Sequence, residues 1–341
     1  MRISANIYAI IHSAMDYWNN KKVLVTGGTG FIGSHVVEKL VARGARVTVL
    51  DNLSNGKIKN IAHLKDRVKF IKGDCADPAA AYNACKNQEV VMNLAARVGG
   101  IEYNRTHQGT MLNDNIAIAS TMIEAVKKAK VERFLVVSSA CVYPHDALVP
   151  TPESEGFRGD PEPTNGGYGW AKRMAETLGK YYAQEFGMKV AVVRPYNAYG
   201  PRDHFDPETS HVIPALIKRV MDGENPVVVW GSGKQTRAFL YVEDLAEGMI
   251  MAIEKYPVPD PINLGTDEEV SIVELVSMII EISGVKASIR FDSSKPDGSP
   301  RRNSDNTKAK KNIGFTAKTP LSEGLTKTIK WYTTLHPLAS E

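Results

Sequence analysis

The strongest constraint on this chain lies near its start. Val23-Leu24-Val25-Thr26 is a short apolar, β-branched run, followed at once by Gly27-Gly28-Thr29-Gly30-Phe31-Ile32-Gly33. Val36, Val37, Leu40 and Val41 then recur at helical spacing within Ser34 to Arg43, and Gly44 stands where a helix-ending glycine belongs. The pattern reads strand, glycine turn, helix, and Val47-Thr48-Val49-Leu50 supplies a second strand ending at Asp51. Two parallel strands joined by a helix make a right-handed βαβ unit. Glycines alone are weak signals, because turns collect them for backbone reasons. Between a strand and a helix they let the backbone approach a pyrophosphate, while the helix N-terminus offers N–H groups and a partial positive charge.

The alternation continues with strands over Val68–Ile71, Val90–Leu94, Phe134–Ser138 and Lys189–Val193, and a helix over Asn115–Ala129. Such alternation predicts an α/β fold, a Rossmann-type doubly wound parallel sheet covered on both faces. From about Pro195 the texture is mixed, with loop-rich stretches at Gly200–Thr209, Gly231–Gln235 and Asp292–Asp305 between short strands and two helices. The expected organisation is an N-terminal helical extension over residues 1–20, then a dinucleotide-binding domain over 21–194 with a return segment near 238–265. A smaller mixed α/β substrate-binding lobe takes 195–237 and 266–335. The chain length of 341 residues accommodates two such units.

Composition narrows the function. Lys and Arg number 42 against 38 Asp and Glu, a net +4 without clustered basic blocks, so neither a nucleic acid nor a lipid surface is the expected partner. Cys75, Cys85 and Cys141 form no disulfide framework and no metal-ligand spacing, which points to a reducing, cytoplasmic compartment and no bound metal. Residues 1–20 carry apolar side chains at helical spacing, yet Asp16 and His12 interrupt the run and no signal-peptide pattern is visible.

Asp51, at the end of the second strand, is placed to take the adenosine ribose hydroxyls, and its charge repels a 2′-phosphate, which favours NAD over NADP. The bland reading of Asp51 is a turn or cap residue before Asn52. Asp74 reads equally as an adenine contact or as a solvated turn acid before Pro78. Tyr168-Gly169-Trp170-Ala171-Lys172 puts a phenol and an ammonium on one helical face. A neighbouring cation stabilises phenolate, so the tyrosine acts as a base despite a reference pKa of about 10. Ser138-Ser139 ends a strand, and a hydroxyl there shares the reacting oxygen of a substrate.

From Lys22 to Tyr332 the chain resembles the extended short-chain dehydrogenase/reductases that act on nucleotide sugars, the NAD-dependent epimerase/dehydratase family. Asn93 to Ile101, Tyr199-Gly200-Pro201 through Ser210 to Leu216, Val229 to Gly233 and Lys295 to Arg301 resemble GDP-L-fucose synthase. Ser138 to Pro144 and Arg302 to Asn306 are closer to GDP-mannose 3,5-epimerase. The resemblance implies tightly bound NAD held by Gly27, Gly30, Phe31, Ile32, Gly33, Asp51, Asn52, Asp74 and Ala95, together with Tyr168 and Lys172. It also implies a GDP-linked sugar contacted by Gly99, Asn197, Arg219, Trp230, Arg237 and Arg302. Of these the three arginines would take the diphosphate, and Trp230 would lie near the guanosine unless it is a core residue.

Both families invert centres beside a 4-ketone. Cys141 holds the cysteine position that they share, and His211 matches the fucose synthases where the mannose epimerases carry lysine. A thiol and an imidazole have pKa values of about 8.5 and 6.5, close enough to neutrality to exchange a proton. The reaction implied first is that of a GDP-hexose (GDP-mannose-type) 3,5-epimerase: oxidation at C4 with Tyr168, Ser139 and Lys172, inversion at C3, C5 or both by Cys141 and His211, and return of hydride. The alternatives are a fucose-synthase reaction on a 4-keto-6-deoxy GDP-sugar and simple 4-epimerisation. The resemblance further implies a homodimer built on the helices around Asn115–Ala129 and Gly169–Phe186, and a loop over the sugar at Asn104–Met111.

Overall fold

The computed structural model describes residues 17–206, 210–294 and 299–336. The expected N-terminal helix therefore lies outside the described residues as far as residue 16. Trp18 is fully buried, and its indole N–H donates to Glu254 at 2.8 Å.

Seven parallel strands form the main sheet: β1 (Lys22–Thr26), β2 (Arg46–Asp51), β3 (Val68–Lys72), β4 (Val90–Asn93), β5 (Arg133–Val137), β6 (Lys189–Pro195) and β11 (Ile262–Leu264), in the order β3-β2-β1-β4-β5-β6-β11. Their apolar runs divide with period two between the faces. Val23, Val25, Val49, Met92 and Leu135 pack under α1 (Phe31–Ala42) and α7 (Val242–Lys255). Leu24, Leu50, Val91, Phe134 and Val136 pack under α2 (Pro78–Cys85), α4 (Gln108–Ala129) and α5 (Gly166–Phe186). The strand order reverses between β1 and β4, which opens a crevice at their C-terminal ends, the usual ligand site of such sheets.

The remaining elements build a second apolar cluster around Ile213, Ile217, Val229, Leu275, Ile279 and Leu325. It contains α6 (Val212–Met221), α8 (Ile272–Ser283) and α10 (Leu321–Leu335), beside the short pairs β7 (Ala198–Tyr199) with β10 (Leu240–Tyr241) and β8 (Val227–Trp230) with β13 (Ile289–Asp292). A third small sheet runs β12 (Glu269–Ser271), β9 (Thr236–Ala238), β14 (Arg301–Arg302). Another helix, α9 (Thr307–Ile313), packs back on the main sheet.

Three sequence expectations change. The second half carries more than two helices, because short amphipathic segments such as Val212–Met221 are stabilised by tertiary packing rather than by length. The stretch 292–305 contains β14, held by pairing with β9 rather than by its own apolar pattern. Asn104–Met111 is not a loop: Ile101–Thr106 is α3, and α4 starts at Gln108. Among the described helices none is long and apolar enough to cross a membrane.

A buried polar network lies beneath α5. Arg194, at the end of β6, donates to Glu176 from Nε at 2.8 Å and from Nη2 at 2.7 Å, and both residues are almost completely buried. Ser138 donates its hydroxyl proton to the same carboxylate. Arg194 Nη1 also donates to the Tyr143 hydroxyl at 3.0 Å, which donates to Asn263 at 2.6 Å. Burial opposes the charge on Arg194, but the bidentate Glu176 outweighs it and holds the guanidinium protonated. Glu176→Gln leaves that cation buried without a counter-charge, so urea unfolding should show a loss of about 3–5 kcal/mol. The double variant Glu176→Gln/Arg194→Met should recover part of it.

Candidate active site

The glycine turn is shaped by its own neighbours and by what must reach it. Gly27 has φ +65°, and a Cβ on Gly33 would stand 2.2 Å from the Gly27 carbonyl oxygen, so close packing of helix on strand excludes any side chain there. A Cβ on Gly30 meets only that same oxygen, at 3.1 Å, so this glycine keeps the ligand side of the turn open. The first turn of α1 has no side-chain cap and no acidic residue, and its N–H groups and dipole remain available to an anion. Phe31 and Ile32 at this helix start pack toward the apolar cluster of the lobe, and Ala95 donates its N–H to Thr26 Oγ1 at 3.1 Å beside the turn.

Asp51 is both a cross-link and a turn residue. Its Oδ2 accepts from the Thr29 N–H at 3.1 Å and hydroxyl at 2.6 Å, and its Oδ1 accepts from the Leu53 N–H at 2.9 Å. A carboxylate has about four acceptor sites, which leaves capacity for a ribose hydroxyl at a fixed carboxylate. Asp74 makes the turn contact, accepting from the Ala76 N–H at 2.8 Å, and it also accepts from Asn52 Nδ2 at 3.1 Å. An adenosine-binding edge fits this arrangement, so the residues present suit a dinucleotide.

Tyr168 and Lys172 share a face of α5, with Lys172 Nζ 5.3 Å from the Tyr168 ring centroid and donating to the Val137 carbonyl at 2.8 Å. Burial raises the Tyr168 pKa, with Cys141 adding to it, and burial lowers Lys172 to about 8 against the opposing pull of Cys141 and Glu176. The sequence argument gave the lysine only its stabilising effect on phenolate; in the folded protein desolvation works against both charged forms.

The two serines separate. Ser138 points to Glu176 beneath the helix, whereas Ser139 Oγ accepts the Cys141 N–H at 3.1 Å and caps the single turn Ala140–Val142. That turn is gripped at its first and last carbonyls. Arg173 donates twice to Val142, at 3.0 and 2.6 Å, and Arg302 Nη2 donates to Ala140 at 3.2 Å. A Cβ on Gly169 would lie 2.4 Å from the Cys141 carbonyl oxygen. The glycine after Tyr168 is therefore what lets α5 lie on the cysteine turn. Cys75 and Cys85 are buried, and burial pushes their thiols up to about 12, while Cys141 is partly accessible.

His211 precedes α6 on the lobe side, exposed at the surface yet crowded by neighbouring atoms, and desolvation with the nearby His204 lowers its pKa. Burial and Cys141 shape the titration of Tyr168, so the structure joins Cys141 to Tyr168 and Lys172 and does not bring His211 into that electrostatic group.

The expected substrate contacts also separate. Arg219 is engaged within its own lobe, its Nε donating to Glu224 at 2.6 Å and its Nη2 to the same carboxylate and to the Val228 carbonyl. Its fork is thus closed by a nearby carboxylate, a partner that the motif gave no hint of. Arg237 and Arg302 face one another across β9 and β14. Asn197, at φ +30°, donates to the carbonyl of Ala238 next to Arg237 at 2.9 Å. Trp230 is 62% exposed and is not a core residue. Gly99 lies tight against the Tyr103 ring.

Sequence reasoning missed Glu176, Arg194 and the ties at the start of α5. Gln108 donates to the Pro163 carbonyl at 2.9 Å and accepts from the Gly167 N–H at 3.0 Å, and Asn104 donates to Asn165 at 2.9 Å. The available signals were the i, i+4 spacing of Glu176 from Lys172 and an arginine closing an otherwise apolar strand.

Comparison with known proteins agrees with this geometry. Residues 23–265 match the model of the NAD dependent epimerase/dehydratase family. The chain is 35% identical to a probable GDP-L-fucose synthase 1 of Oryza sativa subsp. japonica, over 91% of this chain and 92% of that protein. It is 34% identical to a dTDP-4-dehydro-6-deoxy-D-allose reductase of Streptomyces sp, over 93% and 98% respectively. The structure of a UDP-glucose 4-epimerase of Thermotoga maritima, solved with UDP-glucose, superposes with a TM-score of 0.83 at 31% identity, covering 92% of this chain and 99% of that one. With a glycine turn, a Tyr-x-x-x-Lys helix and a sheet of this order on one chain, the protein belongs to the NAD dependent epimerase/dehydratase family.

Proposed function

We propose that this enzyme is a 3,5-epimerase and 4-reductase of a 4-keto-6-deoxy nucleoside-diphosphate sugar, GDP-linked, of the GDP-L-fucose synthase type. The observation that carries the reading is the partly accessible Cys141 in the turn packed against the helix of Tyr168 and Lys172. Simple 4-epimerisation gives that thiol no work. The relatives named GDP-L-fucose synthase reverse the order of preference suggested by the sequence, which placed a GDP-mannose-type 3,5-epimerase first.

Gly27, Gly30, Gly33 and Asp51 would hold a nicotinamide dinucleotide, which would supply hydride chemistry at sugar C4. Tyr168 holds and moves the proton of the C4 oxygen, and Ser139 donates a hydrogen bond to that oxygen. The Lys172 ammonium, anchored on the Val137 carbonyl, favours the phenolate. Cys141 and His211 exchange protons with the carbons beside the ketone, whose acidity the ketone raises. Desolvation and the nearby His204 lower the His211 pKa, which favours the neutral imidazole that accepts a proton. Arg237 and Arg302 take the diphosphate, for which a guanidinium fork is suited, and the exposed Trp230 stacks on the base. Trp170, Met174 and Tyr181 leave an apolar face of α5 exposed, in keeping with a homodimer on this helix.

A second reading, a GDP-hexose 3,5-epimerase that retains NAD and performs no net reduction, is favoured by Asp51 and its three fixed donors.

The test is incubation in D2O with a 4-keto-6-deoxy GDP-hexose and either NADH or NADPH, with deuterium located by NMR. We expect label at C3 and C5 and a reduced C4; Cys141→Ala should lose the label and keep C4 reduction, and label-free reduction by the wild type would overturn the epimerase assignment. GDP-mannose turned over to labelled isomers without added reductant would establish the second reading instead. Tyr168→Phe should lower kcat by about 10²–10⁴-fold, the usual scale for an acid/base group.

Because burial sets Lys172 at about 8, it loses its charge above that pH and kcat/KM should fall on the alkaline side. Lys172→Arg keeps a charge at every accessible pH and should remove that limb, whereas an unchanged limb would exclude Lys172 as its source.

A further inference from the structure

Arg302 belongs to the lobe by its strand and to the catalytic turn by its side chain. In β14 it stands opposite Arg237 of β9. Neither guanidinium carries an ion pair among the described residues. The adjacent Glu269 is held by Arg301, which donates to it from Nε and Nη2 at 2.9 Å, and by the hydroxyl of Thr236. Two facing cations whose neighbouring carboxylate is engaged by Arg301 and Thr236 suit an anion, and burial together with Arg302 lowers the pKa of Arg237 against the opposing pull of Glu269. Arg237 Nη1 donates to the carbonyls of Thr236 and Ser299, both on the lobe side. Arg302 instead crosses to the Ala140 carbonyl, between Ser139 and Cys141.

The base of Arg302 is fixed to the dinucleotide-binding body by backbone bonds. The Thr151 N–H donates to the Asn303 carbonyl at 2.9 Å, and the Asp305 N–H donates to the Thr151 carbonyl at 3.0 Å. Asn263 Nδ2 ties both the Thr151 and the Asp305 carbonyls, at 2.9 and 3.2 Å. On the other side of the turn, Arg173 is fully buried and holds the Val142 carbonyl through two donors. Arg302 is the grip that is only partly buried, and it commits one donor of five to the turn.

We propose that Arg302 is a positioning residue that bridges the diphosphate of the bound substrate to the Ala140 carbonyl, so that occupancy of the diphosphate site fixes the turn carrying Cys141. The thiol is then set in place by the part of the substrate that does not react, which is how remote binding energy serves the reacting centre. The inference rests on the diphosphate reading of the Arg237–Arg302 pair given above.

The test uses GDP, which has the diphosphate and lacks the sugar, on the NAD-loaded enzyme. Cys141 alkylation by iodoacetamide is followed by mass spectrometry, the buried Cys75 and Cys85 acting as internal controls, and GDP affinity is measured by calorimetry. Saturating GDP should slow alkylation of the wild type by about fivefold or more, the lower end of ordinary site-to-site coupling. Arg237→Gln should weaken GDP binding yet keep the slowing at saturation. Arg302→Gln should weaken binding and lose the slowing, and Arg302→Lys, which keeps the charge without the fork, should bind GDP with reduced slowing. GDP that binds the wild type without slowing alkylation, or protection that persists in saturated Arg302→Gln, overturns the coupling and leaves the diphosphate reading intact. Failure of GDP, UDP and dTDP all to bind removes both.

Discussion

The buried pair of Glu176 and Arg194 is the contact on which the geometry of the candidate site depends. Glu176 sits one helical turn beyond Lys172, and Arg194 ends the strand next to the one that ends at the serine pair. By joining them and Ser138, the pair sets the rotation of the helix relative to the sheet. Rotation decides which serine faces the crevice: with Ser138 turned down onto the carboxylate, the alternation of the chain turns Ser139 up. Two charges buried this deeply are stabilised only by satisfying each other, so the arrangement tolerates no gradual adjustment.

A second constraint is steric. The helix of Tyr168 lies so close to the turn of Cys141 that glycine is required at 169, and the preceding glycine, Gly167, meets the backbone of Gln108 in the same manner. Three separate stretches of sequence are thus brought to one point by backbone contact, with few flexible side chains between them. Such contacts are suited to holding a phenol, a lysine and a thiol in fixed relation, since backbone has fewer alternative positions than side chains do.

The fold was largely readable from the sequence because its signals are local. Apolar runs such as Val23–Thr26 and Val90–Leu94 and the glycine turn state their conformation within a few residues. The motif residues Tyr168, Lys172 and Ser139 were legible for the same reason. What escaped was set by distant partners. Arg219 looked like a phosphate ligand until Glu224 was seen to close on it, and Asn104 looked like loop until the helix Ile101–Thr106 was seen seated against Asn165. The segment around Arg301 and Arg302 is a strand only because β9 lies beside it. Trp230 shows the reverse: its sequence left core and surface open, and exposure decides.

The stretch of chain that matches the family ends at residue 265, one residue beyond the last strand of the main sheet. Yet Ala309, Ile313 and Phe315, far beyond that point, fill the apolar layer beneath this strand together with Met249 and Ile253. A fragment cut after Gly265 would contain every strand of the cofactor-binding sheet and still lack part of its core. The lobe is likewise not a detachable cassette, since the chain passes from sheet to lobe, back to β11, and out again. Exchange of lobes between relatives would therefore need at least three matched junctions, and a recombinant with one crossover would join part of one parent's sheet core to the lobe of another.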